Sequence, residues 1–136
     1  MARWLFKEEP THFCFSDLIR EGKTVWNGVT NALARQHLRQ VKKGDRVWFY
    51  HTGKDKAIVG EMRVVTDACP DVTDADPKAV VVEVEPVKAL AHPVTLETIK
   101  ADPGLADWDL VRLPRLSVLP VTLEQWRRIE QLSKGK

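Results

Sequence analysis

The chain has 136 residues, 43% of them hydrophobic and 29% charged, with 21 Lys and Arg against 19 Asp and Glu and so a net charge of +2. Those figures describe one soluble domain with a genuine core; they exclude a mainly disordered chain and leave no room for a separate catalytic domain. No apolar run nears the ~20 residues that span a bilayer, and residues 1–9 lack the apolar stretch of a secretion signal, so a cytoplasmic protein with no membrane partner is expected. Cys14 and Cys69 lack any C-x-x-C partner motif and are expected to be buried, reduced thiols.

Residues 3–7 read as the first strand. Residues 16–20 read as a short helix with Ser16 as N-cap and Gly22 as its stop. Residues 31–41 form a second helix, with Leu33, Ala34, His37, Leu38 and Val41 on one apolar face and Gly44-Asp45 turning the chain after it. Residues 46–51 and 57–66 read as a hairpin across Thr52-Gly53-Lys54-Asp55-Lys56, with Gly60 marking a bulge. Residues 70–77, bounded by prolines and rich in Asp, read as an exposed loop. Residues 80–87 alternate Val with Glu, so one face is buried and the other wet. A third helix spans 95–101 and a last strand 115–119. Thr122-Leu123-Glu124-Gln125 is a capping box for a C-terminal helix whose apolar face carries Trp126, Ile129 and Leu132. Short strands, hairpins and short helices give an α+β fold, and a small, mostly antiparallel barrel flanked by helices removes exposed edges.

Charge is uneven. Residues 1–60 hold 11 basic and 6 acidic residues, a balance of +5; residues 61–136 hold 10 and 13, a balance of −3. A basic half on a nearly neutral domain points to a polyanionic partner. There is no G-x-G-x-x-G, no Walker loop and no G-x-S-x-G. His12, His37, His51 and His92 have no metal-ligand spacing, alone or with the two cysteines, so neither metal nor cofactor is expected. Lys7 near Glu9, where Pro10 ends the strand, reads either as an ion pair fixing the strand end or as an acid/base set.

The stretch Val25-Trp26-Asn27-Gly28-Val29-Thr30-Asn31 lies between the first two helices and reads as a loop. A Trp face can stack a base, worth roughly 1–3 kcal/mol. Asn donates to and accepts from a base edge, and Gly lets the backbone approach a flat ligand. A core Trp followed by a turn has the same local pattern.

Trp4-Leu5-Phe6-Lys7-Glu8-Glu9-Pro10 resembles the W-L-x-K-S-E-P opening of EVE-domain proteins. Phe15-Ser16-Asp17-Leu18 is similar to their F-S-x-x-D-L with a shorter gap. Trp26-Asn27-Gly28-Val29-Thr30-Asn31, followed by Ala34-Arg35 and Leu38-Arg39, resembles W-D-G-V-R-N-x-x-A-R-x-x-L-R. Lys43-Gly44-Asp45, Phe49-Tyr50-His51, Gly60 and Ala68-Cys69-Pro70-Asp71 match in order, and residues 115–122 resemble R-L-S-V-Q-P-V-T. The resemblance covers almost the whole chain. It implies a PUA-like pseudo-barrel and binding of DNA or RNA through a pocket for a flipped, modified base, a modified cytosine such as 5-methylcytosine. It makes Trp26 the stacking wall. Lys7, Glu9, Asn27 and Asn31 become polar readers, Ser117 the floor, Tyr50 and His51 a further wall, and Arg35, Arg39, Lys42 and Lys43 phosphate contacts. Glu8, Thr30 and Leu119 depart from the family's Ser, Arg and Gln, and so bear on ligand preference. A monomeric binding module, not an enzyme, is expected. The alternatives are a hydrolase of modified nucleosides like some ASCH proteins, built on Lys7, Glu9 and Thr30, and an RNA-binding module blind to modification.

Overall fold

The computed structural model describes residues 1–135. Its elements run β1 (Arg3–Glu8), α1 (Phe15–Glu21), β2 (Thr24–Trp26), α2 (Ala32–Leu38), β3 (Arg46–His51), β4 (Ala57–Val64), β5 (Cys69–Pro70), β6 (Val80–Thr95), α3 (Leu96–Ala101), α4 (Asp109–Arg112), β7 (Val118–Pro120) and α5 (Leu123–Ser133). The sheet order is β2-β6-β4-β3-β1-β7, with β5 also on β6. β1 and β3 are parallel and the other pairs antiparallel. The sheet curls into the pseudo-barrel that the sequence predicts, with short helices against it.

Local chemistry sets the boundaries. The Asp17 carboxylate accepts from the Cys14 N–H at 3.0 Å, so α1 starts at Phe15 with Cys14 as N-cap and Ser16 inside the helix, not as its cap. Gly22, at φ 83°, closes it in the left-handed region, as expected. Asn31 caps α2 by accepting from the Ala34 N–H at 2.9 Å. The predicted apolar face of this helix is only partly correct: Leu33 is 39% exposed, while Arg35 takes a buried place. Thr122 and Gln125 form the predicted reciprocal box at the start of α5. Cys14 is half-buried and Cys69 exposed, so neither is the buried thiol expected.

The parallel pairing puts Leu5 beside Trp48, Phe6 beside Phe49, Lys7 beside Tyr50 and Glu8 beside His51. Alternation along each strand then sends these pairs to opposite faces in turn. On the inner face Phe6 and Phe49 meet the Trp26 ring at 5.3 and 5.4 Å, and Phe15 lies edge-on to Phe49. On the outer face Trp48 stacks on Trp126 of α5 at 3.9 Å. Burying each such ring contributes about 1.5–3 kcal/mol. Gly60 faces Phe49 beside a break in register, consistent with the predicted bulge. A Cβ there would run into the Phe15 ring, so glycine lets α1 sit close on the sheet.

Candidate nucleic-acid interface

β1 ends at Glu8, and Pro10 prevents its extension. A turn follows, in which His12 and Phe13 both donate their N–H to the Glu9 carbonyl. It folds His12 back to 3.2 Å from the Glu8 carboxylate, which also accepts from the Glu9 N–H. Phe13 packs toward Phe49. β2 lies alongside, and its register with β6, Trp26 opposite Val82, turns the Trp26 ring inward. Between turn and strand is a cavity of about 130 Å³ lined by Glu8, His12, Phe13, Thr24, Val25, Trp26 and Asn27. That is well below the ~300–1,000 Å³ of drug-sized pockets and suits one small planar ring. Its walls are aromatic and its polar equipment is a carboxylate, an imidazole, a hydroxyl and an amide.

The predicted site residues do not all gather here. Trp26 and Asn27 do. Trp26, however, belongs to a strand and not a loop, and is only 5% exposed, so it is a core residue with one side on the cavity. Lys7 and Tyr50 project from the other face of the sheet into a separate cleft. Lys7 donates to the Pro114 carbonyl at 2.9 Å and lies 5.6 Å from the Tyr50 ring. Burial pulls its ammonium down to about 8 and pushes the Tyr50 phenol up to about 12. No Lys7–Glu9 ion pair forms among the described residues; Glu9 accepts from Thr11 and Thr52 instead. His51 is buried, and its Nε2 accepts from the Phe15 N–H at 3.1 Å. Nδ1 therefore carries the proton toward Asp55 at 3.0 Å, making this ring a tie between β3 and α1, not a pocket wall. The Asn31 side chain is engaged as the α2 cap. Ser117 accepts through its carbonyl from the Lys7 N–H on the β1–β7 seam.

The basic residues divide likewise. Arg35 donates to the Val29 carbonyl at 2.6 Å and to Asp76 at 2.7 Å, and is almost fully buried. It is a structural tie between two loops and is not free for a phosphate. The Lys78 N–H, and after it this Arg35 contact, keep the Asp76 carboxyl below its usual range. Arg39 donates to the Lys78 carbonyl and remains exposed. Lys42 and Lys43 are exposed in the turn before β3. Of the three departures from the family pattern, Leu119 is fully buried and Thr30 lies in a depression with Arg35 and Arg39; only Glu8 reaches the aromatic cavity. Sequence reasoning missed His12, Phe13 and Thr24 as lining; Glu8 it set at the pocket, but only through its departure from the family's Ser. Alternation from the buried Phe6 to Glu8 on the same face was the available signal.

A curled mixed sheet whose strand ends open onto an aromatic cavity with a polar rim defines a PUA-like ligand-binding domain. The family model for the EVE domain matches residues 2–132, and the chain belongs to that family. It is 33% identical to thymocyte nuclear protein 1 of Mus musculus, over 96% of this chain and 73% of the relative. The solution structure of Rpa0253 from Rhodopseudomonas palustris superposes with a TM-score of 0.93 at 39% identity, covering 99% of this chain and 94% of the other. The crystal structure of human THYN1 protein in complex with 5-methylcytosine-containing DNA superposes with a TM-score of 0.92 at 28% identity, covering 100% and 99%.

Proposed function

We propose that this chain binds nucleic acid and reads a modified cytosine, of the 5-methylcytosine kind, turned out of its strand into the Trp26–Phe13–Glu8 cavity. The observation that carries this reading is the Glu8 carboxylate at a ring-sized, aromatic-walled cavity. A carboxylate accepts from the cytosine N4 amino group and has no donor for the O4 of thymine or uracil. Phe13 and the open side of Trp26 supply apolar wall for the ring and a methyl group. Extruding a base costs a few kcal/mol, and stacking with charge-assisted hydrogen bonding is of the size needed to offset it. The likeness to human THYN1, a protein solved with 5-methylcytosine DNA, supports the same reading.

A hydrolase built on Lys7, Glu9 and Thr30 has no geometric support. Lys7 lines the cleft on the outer face, Thr30 the Arg35–Arg39 depression, and Glu9 is held by Thr11 and Thr52. The proposed module acts as a monomer in the cytoplasm, needs no metal, and takes DNA in preference to RNA. Titration of labelled oligonucleotides that differ only at one central base tests the reading. The expected order is 5-methylcytosine over cytosine over thymine, in DNA before RNA. Equal affinity for all three bases would overturn it.

A further inference from the structure

The cleft on the outer face of the β1 end has a different character. It has a volume of about 280 Å³ and is lined by Lys7, Lys56, Lys100, Tyr50, Thr52 and Gly53, with Leu96, Leu110 and Pro114 as apolar wall. Three ammonium groups share it and, among the described residues, no carboxylate lines it. Among the described residues none of the three lysines has a carboxylate within ion-pair distance. The nearby carboxylate, Glu9, lies against Gly53 and is committed to the Thr52 and Thr11 hydroxyls, from which it accepts. Among the described residues Lys7 has only the Pro114 carbonyl as hydrogen-bond partner, which uses one of its three donors. The backbone is shaped to the same end: Lys56 sits at φ 43°, a conformation uncommon outside glycine, in the same turn as Gly53 at φ 70°. Strain at a lysine that lines a cationic cleft suits a ligand site better than a turn chosen for stability.

We infer that this cleft is a second binding site, for a phosphate group, held by Lys7, Lys56 and Lys100, with Tyr50, Leu96 and Leu110 against the body that carries it. The inference does not depend on the base reading of the cavity on the opposite face. Desolvation of Lys7 without a counter-ion is relieved when a phosphate supplies one. The phosphate belongs either to a free nucleotide-sized monoester or to the end of a nucleic-acid strand, and the two sources are separable.

The test is calorimetric titration of the full chain with adenosine 5′-monophosphate, adenosine and inorganic phosphate, then with one DNA strand bearing a 5′-phosphate or a 5′-hydroxyl. Adenosine lacks the cytosine edge, so failure of the modified-base reading leaves this result unaffected. The monophosphate is expected to bind about tenfold or more tightly than adenosine, through charge-assisted bonds, and inorganic phosphate to compete with it. Lys56→Gln and Lys100→Gln, both on exposed side chains, are each expected to weaken it about threefold or more, and Lys54→Gln, the same charge change outside the cleft, to leave it unaltered. A 5′-phosphorylated strand that gains affinity over its hydroxyl form, and loses the gain in Lys100→Gln, assigns the site to a strand end. Binding of the mononucleotide alone assigns it to a free monoester. Absence of both, or equal losses in Lys54→Gln and Lys100→Gln, would overturn the inference.

Discussion

Two cavities flank one strand end and share almost no chemistry. The inner one takes Glu8 from β1, aromatic rings from Phe13 and Trp26 and, among the described residues, no lysine or arginine. The outer one takes Lys7 from the same strand, two further lysines, a phenol and, among the described residues, no carboxylate. A single step along the pleat separates them. Where consecutive residues of opposite charge end a buried strand, their adjacency in sequence is an argument for two sites and against one. The hydrogen bonds of Lys7 and Glu8 differ to match. Lys7 reaches a backbone carbonyl, whereas Glu8 gathers the Glu9 N–H and His12.

The strongest way to break this contrast is to remove the ring that backs the inner cavity. Trp26→Ala is expected to cost about 3–5 kcal/mol of stability, as for any large buried aromatic, and so to match Trp48→Ala on the outer face. Denaturant melts of both variants decide it; a Trp26→Ala loss near zero would make this ring a ligand wall alone. Trp26→Phe keeps the packing class and isolates the binding role. Next in size is Glu8→Gln. Losing a charged acceptor is expected to weaken binding of a modified-cytosine strand by about 1.5–3 kcal/mol, or roughly tenfold or more, and to narrow its lead over thymine. Oligonucleotide titrations read both effects.

Lys7→Met sharpens the contrast from the other side. The Lys7 ammonium titrates at about 8 in the fold against 10.5 as the ordinary value. Between those two values the unfolded chain holds more protons, so stability rises with pH across this window. Below it, burial of the charge costs stability that Met does not incur. Lys7→Met is therefore expected to stabilise the fold at pH 7 by on the order of 1 kcal/mol after allowance for solvent screening, seen as a higher melting temperature, and to lose that advantage above about pH 10. Melts at the two pH values check it. The smallest effect belongs to Lys42→Ala with Lys43→Ala. Each exposed lysine that meets a phosphate contributes about −0.9 to the slope of log affinity against log salt on duplex DNA, so the pair flattens the slope by up to about 2 without altering base preference. An unchanged slope would remove the turn before β3 from the interface.

Much of the fold was legible because local chemistry and tertiary packing agree. β3 is found at its predicted bounds, Arg46–His51, where β-branched and aromatic residues lie between turn signals. The Thr122 box and the Gly22 stop are found where the sequence puts them. β2 was read as a loop, since three residues carry no period and its pairing with Val82–Val84 is wholly tertiary. β6 runs past its predicted end at residue 87 to Thr95, although Pro86 and Pro93 lie within it. Pro86 sits opposite Met62 at a register shift, where a missing N–H breaks no regular ladder. The site was less legible than the fold. Lys7, Trp26, Tyr50 and His51 were each recognisable as special residues, but their grouping depends on the parallel β1–β3 register. No local pattern fixes which face of a parallel pair receives a residue. Arg35 looked like a surface cation because its partner Asp76 lies in a loop far along the chain.

The place of β1 in the sheet governs the order in which the molecule can assemble. β1 is synthesised before both of its neighbours in the sheet, so Arg3 waits for Arg46 and Phe6 for Val118. Domains are synthesised from the N-terminus at about 5–20 residues per second, so the strand that ends in both cavities stays unpaired on its β7 side until residues 118–120 have been made. Pairings of such sequence separation require loop closure before contacts reward it, which slows folding. Refolding of the finished chain is thus expected to be limited by the docking of β1 between β3 and β7, with the β3–β4–β6 meander formed ahead of it.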